Sequence, residues 1–246
     1  MSCFANVVLT PEGELLAEAA QHLVNDIEWT FSDLHDYVAK KKGRVGIASL
    51  PSVSGDWLPP VIAEYRRLYP GIAIEIHDVL SDDCLEQLRR GQVDIALAAP
   101  NALLEEYASE HFCTDSFYLI CRRDHPLAGK ASVRTEDLNG CDFIHLARAT
   151  SIHQFVSTAI GNAGIVAPSF EVRNLSTMAG MILHGLGVSL LPGLTLFEFQ
   201  HPELTAVPLA PPGISRAIQI IWRKDKPLSV AAQAMLELVR QKKPGC

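Results

Sequence analysis

Between Gly43 and Ala99 the sequence switches period repeatedly, and that alternation admits few folds. "RVGIASL" (44–50) is a strand pattern. "WLPPVIAEYRRLY" (57–69) sets Leu58, Val61, Ile62, Tyr65 and Leu68 on one helical stripe. "IAIEIHDVL" (72–80) alternates as a strand does. "SDDCLEQLRRG" (81–91) reads as a short helix with Ser81 as its N-cap. Asp82 and Asp83 suit the positive end of its dipole, Arg89 and Arg90 the negative end, and Gly91 stops it. "VDIALAA" (93–99) is apolar throughout, as a strand buried on both faces would be. The order β-α-β-α-β implies parallel strands with right-handed crossovers.

The alternation then restarts. "SFYLICRR", "DFIHL", "SFEVRN", "VSLLP" and "AIQIIWRKD" read as strands. "SIHQFVSTAIGNAG", "STMAGMILHG" and "SVAAQAMLELVRQ" read as helices. The fold class expected is α/β, with two units in tandem and a cleft at the carboxyl ends of their strands. The run "MAGMILHGLGVSLLPGL" (178–194) is too short and broken for a membrane span, which needs about 20 apolar residues. It also lacks the third glycine of a dinucleotide loop and runs helix first. Helix, tight turn and buried strand fit it instead, with Gly185 ending the helix and Gly187 permitting a close turn.

Before Gly43 lies a different pattern. Thr10 is a suitable N-cap, Pro11 suits the first helical position, and no Pro or Gly follows Gly13 until Gly43. Leu16, Ala20, Leu23, Ile27, Thr30, Leu34 and Tyr37 recur in steps of four and three, the heptad signature of a helix that packs on another helix. The stalk is expected to mediate self-association.

The formal net charge of −7 disfavours wrapping nucleic acid, and Lys40, Lys41, Lys42 and Arg44 read as a solvated helix end. The six cysteines are scattered, without zinc spacing, and are expected to be mostly reduced core thiols. No basic-then-apolar secretory pattern opens the chain, so a cytoplasmic location is expected. No catalytic motif or metal cluster is legible, so neither an enzyme nor a cofactor is expected.

Taken in order, "LTPEGELLAEAA", "GRVGIASLPSVSGDWLPPVIAEYRRLYPGIAIEI", "LRRGQVDIALAA", "RRDHPLAG", "EDLNGCDFI" and "GLGVSLLP" resemble the successive signatures of LysR-type transcriptional regulators. The resemblance covers nearly the whole chain. It implies a winged helix-turn-helix, then a linker helix that pairs subunits. An effector-binding region of two Rossmann-like subdomains follows, similar to type 2 periplasmic solute-binding proteins. Residues 1–9 look like a remnant of the wing, 10–42 the linker helix, 43–114 with 217–246 subdomain I, and 115–216 subdomain II. The recognition helix is missing from this stretch, so DNA contact is expected only of a full-length form that carries it. The partners implied are a small-molecule effector and a second copy of the chain, as a dimer or tetramer.

The resemblance places the effector between the subdomains, among loops at strand ends. Four loops match: Ser49, Ser52 and Ser54; Ser81; His145, Thr150 and Ser151; and Asn174, Ser176 and Thr177. Ala99 and Pro100 would lie at the hinge. Helix starts with free N–H groups and hydroxyls suit an anion, most simply a carboxylate. Each Ser or Thr could equally be a plain N-cap, and His145 a structural histidine. Leu50, Val53 and Leu146 are candidates for the apolar wall. The alternative function is solute binding for transport.

Overall fold

A computed structural model describes residues 9–39, 43–162 and 169–244. The expectations for residues 1–8, for Lys40 to Lys42, for Cys3 and for Cys246 fall outside the described residues, as do the side chains of Leu34 and Tyr37. Cys84, Cys113 and Cys121 are buried free thiols, and Cys141 is half-buried.

Helix α1 spans Pro11–Ala39. Thr10 Oγ1 accepts from Gly13 N at 3.1 Å, the cap its position called for. One face of α1 lies on the domain through Asn25 and Trp29. Asn25 Nδ2 donates to Arg90 O at 2.7 Å and Trp29 Nε1 to Gly91 O at 2.8 Å. The heptad residues point elsewhere: Leu16, Leu23 and Ile27 are 71%, 64% and 55% exposed.

Strands β1 (Gly43–Ser49), β2 (Ile72–Asp78) and β3 (Ile95–Ala98) pair in parallel with β1 between the others, as the alternation required. The short α2 (Pro51–Ser54) and then α3 (Leu58–Leu68) connect β1 to β2, and α4 (Ser81–Arg89) connects β2 to β3. Period two decides which side chain faces which layer. Val45 and Ile47 of β1 pack with Leu58, Val61 and Tyr65 of α3 on one face. Ala48 packs with Cys84, Leu85 and Leu88 of α4 on the other.

The chain then builds a second unit and returns. Strand β4 (Tyr107–Arg122) is followed by β5 (Phe143–Leu146), α5 (Ser151–Asn162), β6 (Ser169–Val172), α6 (Leu175–Leu183), β7 (Ser189–Pro192), β8 (Leu204–Pro208), β9 (Ser215–Arg223) and α7 (Val230–Gln241). β9 pairs antiparallel with β3 and with the first part of β4, completing the first sheet. The remainder of β4 pairs with β7 and β8, while β5 and β6 pair in parallel and Phe143 of β5 bridges to Val188, the residue before β7. Separate buried clusters follow: Phe117, Phe143, Met178 and Leu190 belong to one, and Val45, Tyr65, Ile218 and Met235 to another.

The local readings need four corrections. Ser81 is the first residue of α4, not its cap; Leu80 holds the cap position, and Ser81 Oγ accepts from Ala99 N at 3.3 Å. The stretch after Ser49, read as a loop, contains α2, because Val53 N and Ser54 N both donate to Leu50 O. β4 begins well before "SFYLICRR", and β8 was not foreseen. The backbone passes between the two buried clusters within β4 and at the entry to β9, where Phe117 N donates to Ile214 O at 2.9 Å, and not at Ala99–Pro100. The Gly185–Gly187 turn matches expectation. Both residues have positive φ, 74° and 152°, and a Cβ on Gly187 would come within 2.5 Å of Asp142 O.

Candidate functional site

A cavity of about 320 Å³ opens between the two clusters. Leu50, Pro51, Ser52, Asp78 and Leu80 line it from one side. Leu146, Thr150, Ser151, Ile152, Arg173, Asn174, Leu175, Ser176, Thr195 and Glu198 line it from the other, and Arg216 of β9 sits between. A volume near the low end of ligand pockets suits a compact molecule.

Arg216 organises this space. Its side chain is 1% exposed and that of its cross-strand partner Asp115 is 2%. Nε and Nη2 donate to Asp115 Oδ2 at 3.2 and 3.0 Å, and Asp115 Oδ1 accepts from Leu194 N at 3.1 Å. The guanidinium also reaches both walls. Nη2 donates to Ser52 Oγ at 2.7 Å, and Nη1 to Ser151 Oγ at 3.2 Å. Each hydroxyl accepts from a cation, so its own hydrogen is polarised and left to donate. No described residue accepts it. Ser52 is the second residue of α2 and Ser151 the first of α5, so two helix starts place these hydroxyls around one guanidinium.

The other hydroxyls are more committed. Thr150 Oγ1 accepts from His153 N and donates to Ala147 O, a cap for α5. Asn174 Oδ1 accepts from Thr177 N at 2.8 Å, a cap for α6. Both still line the cavity. Ser176 Oγ donates to Glu198 at 3.3 Å. Five of the expected polar residues therefore meet at the cavity: Ser52, Thr150, Ser151, Asn174 and Ser176, with Leu50 and Leu146 as apolar wall. Seven do not line it: Ser49, Ser54, Ser81, Ala99, Pro100, His145 and Thr177. Ser49 and Ser54 share a hydrogen bond with each other, and Val53 is core. His145 packs beside Phe143 and His153; burial and then His153 hold its pKa below the ordinary 6.5.

Arg216, Asp78, Arg173, Thr195 and Glu198 were missed. A signal existed for Arg216. It lies two and four residues before Ile218 and Ile220, and both are fully buried, so period two turns its charge inward. Asp115 stands in the same relation to Phe117 and Leu119.

Among the described residues no group of His, Cys, Asp or Glu could hold a metal ion, and no helix is long and apolar enough to cross a membrane. A family model described as the LysR substrate binding domain matches residues 39–244. The HTH-type transcriptional regulator YbhD of Escherichia coli K12 is 31% identical over 234 residues, which is 95% of this chain and 74% of that protein. Among solved structures, the regulatory domain of CcmR from Synechocystis PCC6803 in complex with 2-PG aligns with a TM-score of 0.75 at 22% identity, covering 83% of this chain and 99% of that one. The effector-binding domain of QuiR in complex with shikimate aligns with a TM-score of 0.72 at 14% identity, covering 82% and 98%. These structures share the fold: two Rossmann-like subdomains of the type 2 periplasmic-binding-protein kind. The chain belongs to the LysR-type transcriptional regulators, and its two α/β units are their effector-binding region.

Proposed function

We propose that the cleft binds a small organic carboxylate as the effector through which this regulator controls transcription. The observation that carries the reading is the Arg216 guanidinium, buried between two hydroxyls that come from opposite walls and each keep a hydrogen to donate. A carboxylate has two oxygens to receive them. The opening turns of α5 and α6 add partial positive charge, and Leu50, Leu80, Leu146 and Ile152 supply an apolar wall for a carbon skeleton. Ser52, Thr150, Ser151, Asn174 and Ser176 form the contact set. Ser49, Ser54, Ser81, Ala99, Pro100, His145 and Thr177 support the loops that carry it.

The same proposal divides the effector region at the Asp115–Arg216 pair, with 43–114 and 217–246 as subdomain I and 115–216 as subdomain II. Effector contacts from both subdomains narrow the cleft about β4 and the entry to β9. The exposed stripe of α1 pairs with a second copy, as dimer or tetramer, and a form carrying the helix-turn-helix contacts DNA from the cytoplasm.

Native mass spectrometry of the purified protein, followed by calorimetry with an organic-acid panel, tests the carboxylate reading. One charge-assisted hydrogen bond is worth about 1.5–3 kcal/mol, so Ser52→Ala and Ser151→Ala should each weaken binding about ten-fold or more. A cationic or uncharged cognate ligand, or unchanged affinity in both variants, refutes it.

A further inference from the structure

The charged side chains that line the cleft balance two against two, but Asp115 behind the lining already neutralises Arg216. Arg173 and Arg216 are its cations, Asp78 and Glu198 its anions, and Asp115 stands behind Arg216 as its ion-pair partner. Two positive charges against three negative ones leave the region at −1 before any ligand enters. The two lining carboxylates come from opposite sides, Asp78 from the end of β2 and Glu198 from the 3-10 turn Gly193–Phe199. The Asp78 side chain has no hydrogen bond or ion pair to a described residue, and desolvation alone pushes its pKa up. Glu198 accepts only from a neutral hydroxyl, that of Ser176. A carboxylate without a cation beside it gains from a ligand that brings one.

Building on the carboxylate reading above, we propose that the effector is a zwitterion, an amino acid in the broad sense. Its carboxylate meets Ser52, Ser151 and Arg216, and its ammonium meets Asp78 and Glu198. Such a ligand adds no net charge to the cleft. A plain monocarboxylate leaves both acidic groups unmatched, and a dicarboxylate sets a second negative charge against them.

Calorimetry on the full chain distinguishes these cases when each carbon skeleton is offered as its plain, hydroxylated, aminated and dicarboxylated acid. The aminated form should bind about ten-fold or more tighter than its plain counterpart. Asp78→Asn and Glu198→Gln should each erode that preference, because the aminated acid loses an anionic partner while the plain acid is relieved of a like charge. Both residues are exposed enough that the variants should keep the wild-type melting temperature. Equal or tighter binding of a plain, hydroxylated or dicarboxylic acid overturns the zwitterion and leaves the carboxylate site standing. Retention of the amino preference in both variants also overturns the assignment of Asp78 and Glu198. Failure of every carboxylate overturns the site reading itself, and this inference with it.

Discussion

Replacing Asp115 with alanine should damage the fold out of proportion to the atoms removed. Asp115 and Arg216 are each almost fully enclosed, and Arg216 Nε and Nη2 both donate to Asp115 Oδ2. Without Asp115 the guanidinium keeps its charge, since arginine does not deprotonate, and loses its counter-ion. Removing one partner of a buried pair costs about 3–5 kcal/mol. Leu194 N loses its acceptor as well, Asp115 Oδ1, which adds about 1–3 kcal/mol. Allowing for overlap, the expected total is about 4–6 kcal/mol. At about 2–4 °C per kcal/mol for a chain of this size, the melting temperature should fall by about 10–20 °C. Urea unfolding followed by circular dichroism reads the free energy, and thermal melts give the temperature. The double variant Asp115→Ala/Arg216→Met removes both charges and should cost at least about 2 kcal/mol less than the sum of the single variants. A single-variant loss below about 1 kcal/mol, or strict additivity, would refute the claim that Asp115 is the buried counter-ion of Arg216.

Two other perturbations address other parts of the molecule. Leu23→Glu with Ile27→Glu places charge in the exposed stripe of α1 without touching the buried Asn25–Trp29 face, so light scattering should show a smaller oligomer with an unchanged fold; a wild-type monomer at micromolar concentration would end the stalk reading. His145 is held below its ordinary pKa of 6.5, mainly by burial, so the unfolded chain takes up a proton first as pH falls. Stability should therefore drop as pH falls through about 6.5 towards the folded value, and His125, also lowered by burial, acts in the same direction. His145→Leu should lose less melting temperature than wild type between about pH 7.5 and 5.5; an equal loss would place the titration elsewhere.

The parts of this fold legible in the sequence are those where one period governs a whole element. Ile72 to Glu75 alternates, Leu58 to Leu68 repeats at helical spacing, and the heptad residues Leu16, Leu23 and Ile27 of α1 show on its exposed face. Gly187 was legible because only a residue without a side chain fits against Asp142 O. What stayed hidden depends on partners distant in the chain. β8 is short and gains its place from pairing with β4, a register no local pattern records. Ser81 has the chemistry of a cap, yet its hydroxyl is taken by Ala99 N, which the sheet brings to it. Period two puts Arg216 on the buried face of β9, but its counter-ion Asp115 lies 101 residues away and is brought opposite it only by the β4–β9 register. Ser52 and Ser151 were named as site residues from their loops, but the guanidinium that gives their hydroxyls a common purpose was not.

The most direct measurement is a crystal structure of the protein with its tightest-binding carboxylate. The account predicts the carboxylate in the cavity between the two units, with its oxygens about 3 Å from Ser52 Oγ and Ser151 Oγ and the Asp115–Arg216 pair intact behind it. A larger groove of about 600 Å³ elsewhere, lined by Arg122, His125 and Gly185, offers the contrary outcome. An acid seated there, with the Arg216 cavity holding only water, would contradict the account.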